Sequence, residues 1–341
     1  MAEADLSIVI IARNEAANIA RAIESALRAS EHLLDTGILL VDSASTDETV
    51  EIAKRYPINI VRLDPSWFLS VAAGRHIGTY CSRGELILHM DGDMDLDPDW
   101  VDRSVSYMVE HPQVAAVGGY WRNIYMRDGQ VVGEQNQCRD PQGRVLGVQY
   151  VGGASLYRRS AIEEVGGYQP FIRGEEDVDL CMRLRHAGYQ VVRLPYLMSR
   201  HYCIPPLSLA GQLRRMRLSL WLGFGQVPRY YLGTGLFWKY LKERGSYVVF
   251  LLGMLISVIT LLLTLFSGNL LFLGAWVLIV AAFLSVYLMR KRSLRKVCLS
   301  LSVQAFTAYS AVRGFLMAPH SPEEYPTDVE IVQMHGGLEK A

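Results

Sequence analysis

The sequence predicts an α/β domain built around a mostly parallel sheet, followed by a membrane-associated C-terminal region. Short apolar runs alternate with helical patterns through the first half of the 341 residues, which is typical of strand–helix–strand crossover units. The first apolar runs each lead into a polar or acidic turn, the position at which ligands bind in open α/β sheets. Two long uncharged apolar runs follow at 246–266 and 269–289.

The elements of the first domain are predicted in order along residues 1–203. Strands are expected at 8–11, 38–41, 58–63, 86–90 and 189–194, and helices at 14–28, 46–55, 70–82, 160–165 and 176–187. Ser45 or Thr46 is expected to cap the second helix through its side-chain oxygen. Residues 114–157 combine short strands with glycine-rich turns.

Charge and cysteine content exclude several classes of protein. Lys+Arg and Asp+Glu both total 34, and this balance gives no sign of a nucleic-acid partner. The five cysteines form neither a close pair nor a metal-finger spacing, which indicates a reducing compartment. No secretory signal pattern precedes the strand at 8–11, so we expect the first domain to stay in the cytoplasm.

Residues 204–244 have the composition of helices that lie at a membrane surface. Arg214, Arg215 and Arg217 are interspersed with Leu, Met and Trp residues, and aromatic residues with lysines continue the pattern. An amphipathic helix packed on the first domain is the alternative interpretation of this stretch.

Two or three membrane spans are predicted within residues 245–318. The runs at 246–266 and 269–289 match the ~20 residues needed to cross a bilayer. Basic residues flank this pair, so both flanks are predicted to be cytoplasmic and the turn at 267–268 to face outward. The run at 297–318 contains one charge, Arg313, and is either a third span or a re-entrant helix. Residues 319–341 are left as a tail. The chain is therefore expected in the plasma (inner) membrane, in contact with its lipids and with the first domain on the cytoplasmic face, and with too few spans for a transporter.

Three polar turns follow the predicted strands. Asp91-Gly92-Asp93 places two carboxylates one residue apart, a spacing that lets one or both grip a divalent cation bridging a diphosphate. Asp42 can accept hydrogen bonds from a nucleobase imino group or a ribose hydroxyl, and Glu15 can hold a ribose. The structural alternatives are a solvated acidic turn, a helix cap and an acid favoured by a helix dipole.

A fourth acidic segment opens the predicted helix at 176–187. Glu175, Glu176, Asp177 and Asp179 lie within five positions. A helix dipole accounts for one or two acids at such a place. Four together are expected to raise one another's pKa, which is the setting of a general base.

Taken in order, these motifs resemble the inverting glycosyltransferases of glycosyltransferase family two, which have the GT-A fold and include cellulose, hyaluronan and dolichyl-phosphate mannose synthases. The resemblance covers about residues 6–203. It rests on the Asn-Glu turn after the first strand, the Asp-x-x-Ser-x-Asp turn at 42–47, and the metal motif at 91–93. It also rests on the segment Ala73-Gly74-Arg75-His76-Ile77-Gly78, on Gly152-Gly153-Ala154, and on Glu176-Asp177.

The resemblance implies a site for a nucleotide-sugar donor, a divalent cation and an acceptor. Asp177 is implied to be the general base that deprotonates an acceptor hydroxyl for in-line, inverting attack. Nucleotide-sugar contacts are implied at Ala12, Asn14, Glu15, Asp42, Arg75, Asp91 and Gly92. Mn²⁺ or Mg²⁺ is implied at Asp93, Asp91 and His201, and acceptor contacts at Gly153, Glu176, Gln212 and Arg215. A partly buried histidine near the membrane is the alternative for His201.

The sequence departs from the family pattern at two places. His76 replaces the usual Asn, and Met216 stands where the processive enzymes have Trp, which leaves processivity open. Polyprenyl-phosphate sugar synthases have an ionised acceptor and need no base, so Glu176-Asp177 favours a hydroxyl on a polyprenyl-linked saccharide. Such a synthase, or a non-catalytic membrane subunit that keeps the fold, remains the alternative.

Overall fold

The computed structural model describes residues 5–33, 36–127, 129–137, 140, 142–203, 213, 216 and 219–335. The chain divides into two compact units. The first consists of Met1–Pro206 together with Pro319–Ala341, and the second is Leu207–Ala318. The described segments 5–203 and 319–335 therefore belong to one folded unit.

The first unit is organised around one mixed sheet. Its strands are β1 (Leu6–Ala12), β2 (Thr36–Asp42), β3 (Asn59–Arg62), β4 (Leu86–Asp91), β5 (Met94–Leu96), β6 (Val114–Arg127), β7 (Gln130–Gln137), β8 (Leu146–Gly147), β9 (Ser155–Arg158), β10 (Gln190–Cys203) and β11 (Glu330–Gln333). The central strands are parallel: β1 pairs with β2 and β4, β2 pairs with β3, and β6 pairs with β10. The order across the sheet is β11-β3-β2-β1-β4-β9-β6-β10-β5, with β7 and β8 paired to β6 and β10. The predicted α/β fold with a mostly parallel sheet is confirmed.

Helices cover both faces of this sheet, and the sheet separates the buried apolar residues into two hydrophobic cores. They are α1 (Ile19–Ser30), α2 (Thr49–Ala53), α3 (Val71–Cys81), α4 (Pro98–Glu110), α5 (Arg159–Glu164) and α6 (Glu176–His186). Helix α3 lies close to β1, because a Cβ added at Gly74 would stand only 2.6 Å from Ile11 Cγ2. Glycine at this position allows the approach that carries Arg75 towards the carboxyl edge of the sheet.

Two predictions about the first helices were wrong. Helix α1 begins at Ile19 rather than at residue 14, since Asn14 adopts a left-handed conformation with φ 57°. Neither Ser45 nor Thr46 caps α2, which begins after Glu48 without a side-chain cap. The Ser45 hydroxyl accepts a hydrogen bond from the Asn14 N–H instead, at 2.9 Å.

The segment at 319–335 returns to the first unit, although the sequence suggested only a tail. Strand β11 pairs antiparallel with β3, which makes it an edge strand of the main sheet. Tyr325 is buried and its hydroxyl donates to the Phe68 carbonyl at 3.0 Å. Its ring also meets the rings of Trp67 and Phe171 edge-on.

The second unit is helical throughout its described part. Its helices are α7 (Gly223–Tyr230), α8 (Gly235–Arg244), α9 (Ser246–Ser267), α10 (Leu271–Lys291) and α11 (Leu294–Leu316). Helices α9 and α10 are long and apolar enough to cross a membrane, which supports the first two predicted spans by length and composition. The predicted interfacial helices remain a prediction, since most of residues 204–218 lie outside the described residues.

Candidate active site

The register of the parallel strands aligns three of the candidate residues along one edge of the sheet. Ala12 faces Asp42 at the ends of β1 and β2, and Ile11 faces Asp91 at the end of β4. Because all three strands run in the same direction, their carboxyl ends meet there. The predicted donor-binding residues are therefore brought together by backbone pairing alone.

Hydrogen bonds join the turn after β1 to the turn after β2. The Asn14 side-chain oxygen accepts from the Thr46 N–H at 2.8 Å, and the Glu15 N–H donates to the Thr49 hydroxyl at 2.8 Å. Asn14 and Ala44 both have φ 57°, a conformation that asparagine tolerates through local hydrogen bonding. These hydrogen bonds consequently fix the two turns to each other beside the carboxyl edge of the sheet.

Asp42 has a structural role as well as an available oxygen. Its side chain is fully buried, and one oxygen accepts from the Ser45 N–H at 3.0 Å. The same oxygen lies 3.3 Å from Nε of Arg62. The other oxygen, Oδ1, is buried and has no hydrogen-bond partner within the described part of the chain. An acceptor of this kind suits an N–H or O–H of a bound ligand.

Glu15 lies near the acidic end of β4. Its carboxylate accepts from the Asn18 amide at 2.8 Å. Burial raises the pKa of Glu15; the Asn18 hydrogen bond opposes this, and repulsion from Asp93 and Asp91 adds to it. These effects place the predicted ribose-binding acid in the same electrostatic environment as the predicted metal motif.

Arg75 connects the end of β4 to the beginning of α6. Its buried guanidinium contacts Asp91 Oδ1 at 3.1 Å through Nη2. Through Nη1 it contacts Glu176 Oε1 at 3.1 Å and Asp177 Oδ1. Sequence reasoning had implied a role for Arg75 on the nucleotide or its phosphates. In this structure its guanidinium is bound by three carboxylates.

Three carboxylates contact the single positively charged guanidinium of Arg75. Burial together with repulsion from Asp177 raises the pKa of Glu176 to about 7, although Arg75 opposes the shift. Partial burial raises the pKa of Asp91 to about 6, again against the effect of Arg75. The cluster carries one guanidinium for three acids, so it favours the binding of a further cation.

Asp93, which follows β4, contacts His201 of β10. The pairing of β5 with β10 places Met94 opposite His201, and His201 Nε2 lies 3.1 Å from Asp93 Oδ2. The other ring nitrogen, Nδ1, lies 3.0 Å from the side-chain oxygen of Asn123. Burial lowers the pKa of His201, but hydrogen bonds to Asp93 and Cys203 outweigh this and raise it to about 10.

These residues fit a divalent cation that is shared with a ligand. Asp93 Oδ1 is buried and has no hydrogen-bond partner among the described residues, and Asp91 lies two positions away. No group of three or more His, Cys, Asp or Glu side chains in the described ranges could hold a metal by itself. Mg²⁺ is usually bound by one or two protein carboxylates, and substrate phosphates complete the coordination of the ion.

Comparison with protein families identifies the first unit. Residues 7–166 match the family described as glycosyl transferase family 2, and residues 136–205 match the family described as the N-terminal domain of galactosyltransferase. The chain carries a glycosyltransferase family 2 domain. The match begins in β1 and ends just after α5, so it includes the donor edge and the metal motif.

Several named glycosyltransferases and polysaccharide-biosynthesis proteins resemble this chain at low identity. Glycosyltransferase AglE of Haloferax volcanii is 25% identical over 228 residues, covering 65% of this chain and 73% of the relative. Succinoglycan biosynthesis protein ExoA of Rhizobium meliloti is 26% identical, covering 54% and 59%. O-antigen chain rhamnosyltransferase WbaN of Salmonella anatum is 23% identical, covering 48% and 56%. The match thus spans less than two thirds of the length of ExoA and WbaN.

Two solved structures share the fold. Mannosyltransferase PcManGT from Pyrobaculum calidifontis, in complex with GDP-Man and Mn²⁺, superposes with a TM-score of 0.61 at 16% identity and covers 93% of this chain and 88% of that one. S. aureus TarS residues 1–349, in complex with UDP-GlcNAc, gives a TM-score of 0.51 at 12% identity over 70% of this chain and 71% of that one. These likenesses establish the GT-A fold of the glycosyltransferase domain.

Two residues of the glycosyltransferase domain, Arg75 and Gly152, lie next to the two carboxylate oxygens of Asp177. One carboxylate oxygen contacts Arg75, and the other lies against Gly152, where an added Cβ would stand 2.6 Å from Oδ2. The neighbouring Gly153 has φ 75° and lies against the methyl group of Met94. The predicted acceptor contacts Gln212 and Arg215 lie outside the described residues.

Sequence reasoning missed three residues of the site. Arg62 contacts Asp42, Asn123 contacts His201, and Gly152 borders Asp177. Gly152 was part of a recognised motif but had been given no role. Correct strand pairing between β2 and β3 would have pointed to Arg62, since the register sets Asp42 opposite Arg62.

Proposed function

We propose that this glycosyltransferase moves a sugar from a nucleotide-sugar donor to a hydroxyl group of a membrane-held acceptor, with inversion at the anomeric carbon. The observation that carries the proposal is the contact of Arg75 with Asp91, Glu176 and Asp177. It joins the acidic end of β4, where a donor diphosphate and its cation would bind, to the acid that would act as base. A donor-binding edge and a candidate base within one ion-paired cluster are what a single-displacement transfer needs.

The donor is proposed to bind along the carboxyl edge of β1, β2 and β4. Asp42 offers its unpaired buried oxygen to the nucleobase, and Glu15 and Asn14 lie beside it for the ribose. Asp93 and Asp91 would hold Mn²⁺ or Mg²⁺, and His201 would have to release its proton before its Nε2 could join them as a ligand. When bound, the cation supplies positive charge that stabilises the departing nucleoside diphosphate.

Asp177 is proposed as the general base. It accepts the proton of the acceptor hydroxyl while that oxygen bonds to the anomeric carbon and the bond from this carbon to the donor phosphate breaks. Arg75 binds one oxygen of this carboxylate, and Gly152, which has no side chain, leaves room for the other, so the contact with Arg75 would orient Asp177 before a substrate binds. Arg75 is thereby proposed as a positioning residue for Asp177 rather than as a phosphate ligand.

The acceptor is proposed to be a saccharide linked to a polyprenyl lipid. A hydroxyl acceptor requires a base, and Glu176 and Asp177 supply candidate carboxylates at the beginning of α6. Relatives named for succinoglycan and O-antigen assembly support a role in polysaccharide biosynthesis. Helices α9 and α10 support membrane insertion, with the catalytic domain proposed on the cytoplasmic face.

The proposal is tested by incubating the purified protein with a panel of nucleotide sugars, Mn²⁺ or Mg²⁺, and detergent-solubilised lipid acceptors. Nucleoside diphosphate release and the anomeric configuration of the product are then measured. We expect one donor to be consumed, only with metal and a saccharide-bearing lipid, and to give an inverted product. The Asp93→Ala variant is expected to lose this activity.

Other results would contradict parts of the proposal. Transfer to bare polyprenyl phosphate without use of sugar-bearing lipids would identify a polyprenyl-phosphate sugar synthase. A retained anomeric configuration would contradict the single displacement. Nucleotide binding without turnover of any donor would favour a non-catalytic membrane subunit.

A further inference from the structure

We propose that the second unit crosses the membrane twice, through α9 and α10, and that α11 does not cross it. The inference rests on membrane insertion of α9 and α10 and is independent of the proposed catalytic mechanism. It decides between the two alternatives that the sequence leaves open for residues 297–318.

The chain on both sides of the membrane segment belongs to the same folded unit. Strand β11 extends the sheet through β3, with Ile331 opposite Val61. The Gln333 amide donates to the carbonyls of Tyr56 at 2.8 Å and Ile58 at 3.0 Å. A bilayer cannot separate two strands of one sheet. Residues 319–335 must therefore lie on the same side of the membrane as residues 5–203.

This arrangement requires an even number of crossings between residues 207 and 318. A chain that leaves one face of a bilayer and later rejoins the same folded unit has crossed it an even number of times. Three spans would place β11 on the opposite face from β3 and would break their pairing.

Helices α9 and α10 have the surface expected of the two crossings. In the most apolar window of each, only 11% and 0% of the residues are buried, so neither is the core helix of a soluble protein. Large apolar side chains along both are exposed, such as Phe266 (88%) and Leu278 (72%). Contiguous exposed apolar surface on this scale needs lipid or another apolar covering. Their position far from the N-terminus also excludes a signal sequence.

Helix α11 differs from both in charge and in packing. It carries Arg295 and Lys296 in its first turn and Arg313 in its last turn. Unlike α9 and α10, it has no stretch long and apolar enough to cross a membrane, and small or polar residues along it, such as Thr307, Ser310 and Gly314, are buried. Gly225 of α7 lies against the backbone of Ala311, and Gly314 lies against that of Leu222. These contacts bind α11 to a short helix that is itself too short to span.

Cysteine labelling of the full-length protein in cells tests the number of crossings. Single cysteines are introduced as Leu270→Cys, Arg295→Cys and Glu323→Cys, in a background from which the native cysteines are removed. A membrane-impermeant maleimide is applied before and after permeabilisation. We expect Leu270→Cys to react from outside, and the other two to react only after permeabilisation.

Two outcomes would overturn the proposal. Labelling of Glu323→Cys, but not of Arg295→Cys, from outside would mean that α11 crosses the membrane and that β11 cannot pair with β3. Protection of all three sites until permeabilisation would mean that α9 and α10 do not cross.

As a second measurement, the Val61→Cys/Ile331→Cys double variant should form a disulfide on mild oxidation of the purified full-length chain. Failure to form it, while either single variant remains folded, would refute the pairing on which the inference depends.

Discussion

Replacement of Gly152 by alanine tests whether Asp177 must be held in one place. The φ of Gly152 lies outside the left-handed region, so the backbone accepts an alanine. The new Cβ would stand 2.6 Å from Asp177 Oδ2, 3.4 Å from its Cγ and 3.7 Å from its Cβ. The conflict is therefore confined to one carboxylate oxygen.

The size of the displacement follows from these distances. Ordinary contact begins at 3.4 Å, so Oδ2 must move by 3.4 − 2.6 = 0.8 Å. The opposite oxygen is bound to Arg75, so the carboxylate cannot move without lengthening that contact. A misplacement of about 1 Å at a reacting group costs on the order of 10²-fold in rate, and we expect a loss of this size in kcat. Stability should change by less than ~1 kcal/mol, because alanine also restricts the unfolded chain.

The assay is nucleoside diphosphate release at saturating donor and acceptor, together with thermal unfolding in detergent. Gly37→Ala is the matched control, since a Cβ there has nothing within 4 Å and Gly37 does not have a positive φ. We expect Gly37→Ala to keep full activity. A Gly152→Ala enzyme with unchanged kcat would refute the reasoning that the position of Asp177 limits the rate.

Three further predictions concern the ion cluster and the C-terminal segment. Arg75→Lys keeps the positive charge but removes the planar fork that contacts three carboxylates. Thermal unfolding should therefore show a loss of about 1.5–3 kcal/mol, the size expected for a lost hydrogen bond to a charged group, and nucleoside diphosphate release should fall with it. Unchanged stability would contradict the ion-pair assignment. Burial raises the pKa of Glu176 from its ordinary value of 4.5 to about 7, so the folded state binds more protons than the unfolded state between these values. Without metal and donor, stability should fall as pH rises from about 4.5 to 7, and Glu176→Gln should reduce this slope in unfolding curves. Tyr325→Ala should destabilise the protein by about 3–5 kcal/mol and Tyr325→Phe by about 1 kcal/mol, since only the first removes the buried ring; equal losses in calorimetry would contradict this.

The strands and their acidic ends could be predicted from the sequence because their signals are local. The apolar run that becomes β4 leads directly into Asp91-Gly92-Asp93, and the same holds for β2 and Asp42. Parallel pairing then brings these ends together without further information. Helix α4 also had local signals, since Pro98 occupies its first turn, but no prediction was made for it.

The rest could not be predicted because it depends on contacts between distant parts of the chain. Arg75 and Asp177 are 102 positions apart, so no local pattern links them. Strand β11 has four residues, and its burial pattern does not alternate in the way that identifies a strand. The second role of Asp42, closing its own turn, requires the left-handed conformation of Ala44, a residue type in which this conformation is rare.

The central claim is that one acidic cluster both binds the donor with its cation and deprotonates the acceptor through Asp177. The most direct test compares wild-type protein with Asp177→Asn by measuring donor and Mn²⁺ binding calorimetrically and transfer by nucleoside diphosphate release. The account predicts that the variant binds donor and metal as the wild type does but transfers no sugar. Transfer at the wild-type rate by Asp177→Asn would contradict it, since the acceptor proton would then be taken by another group.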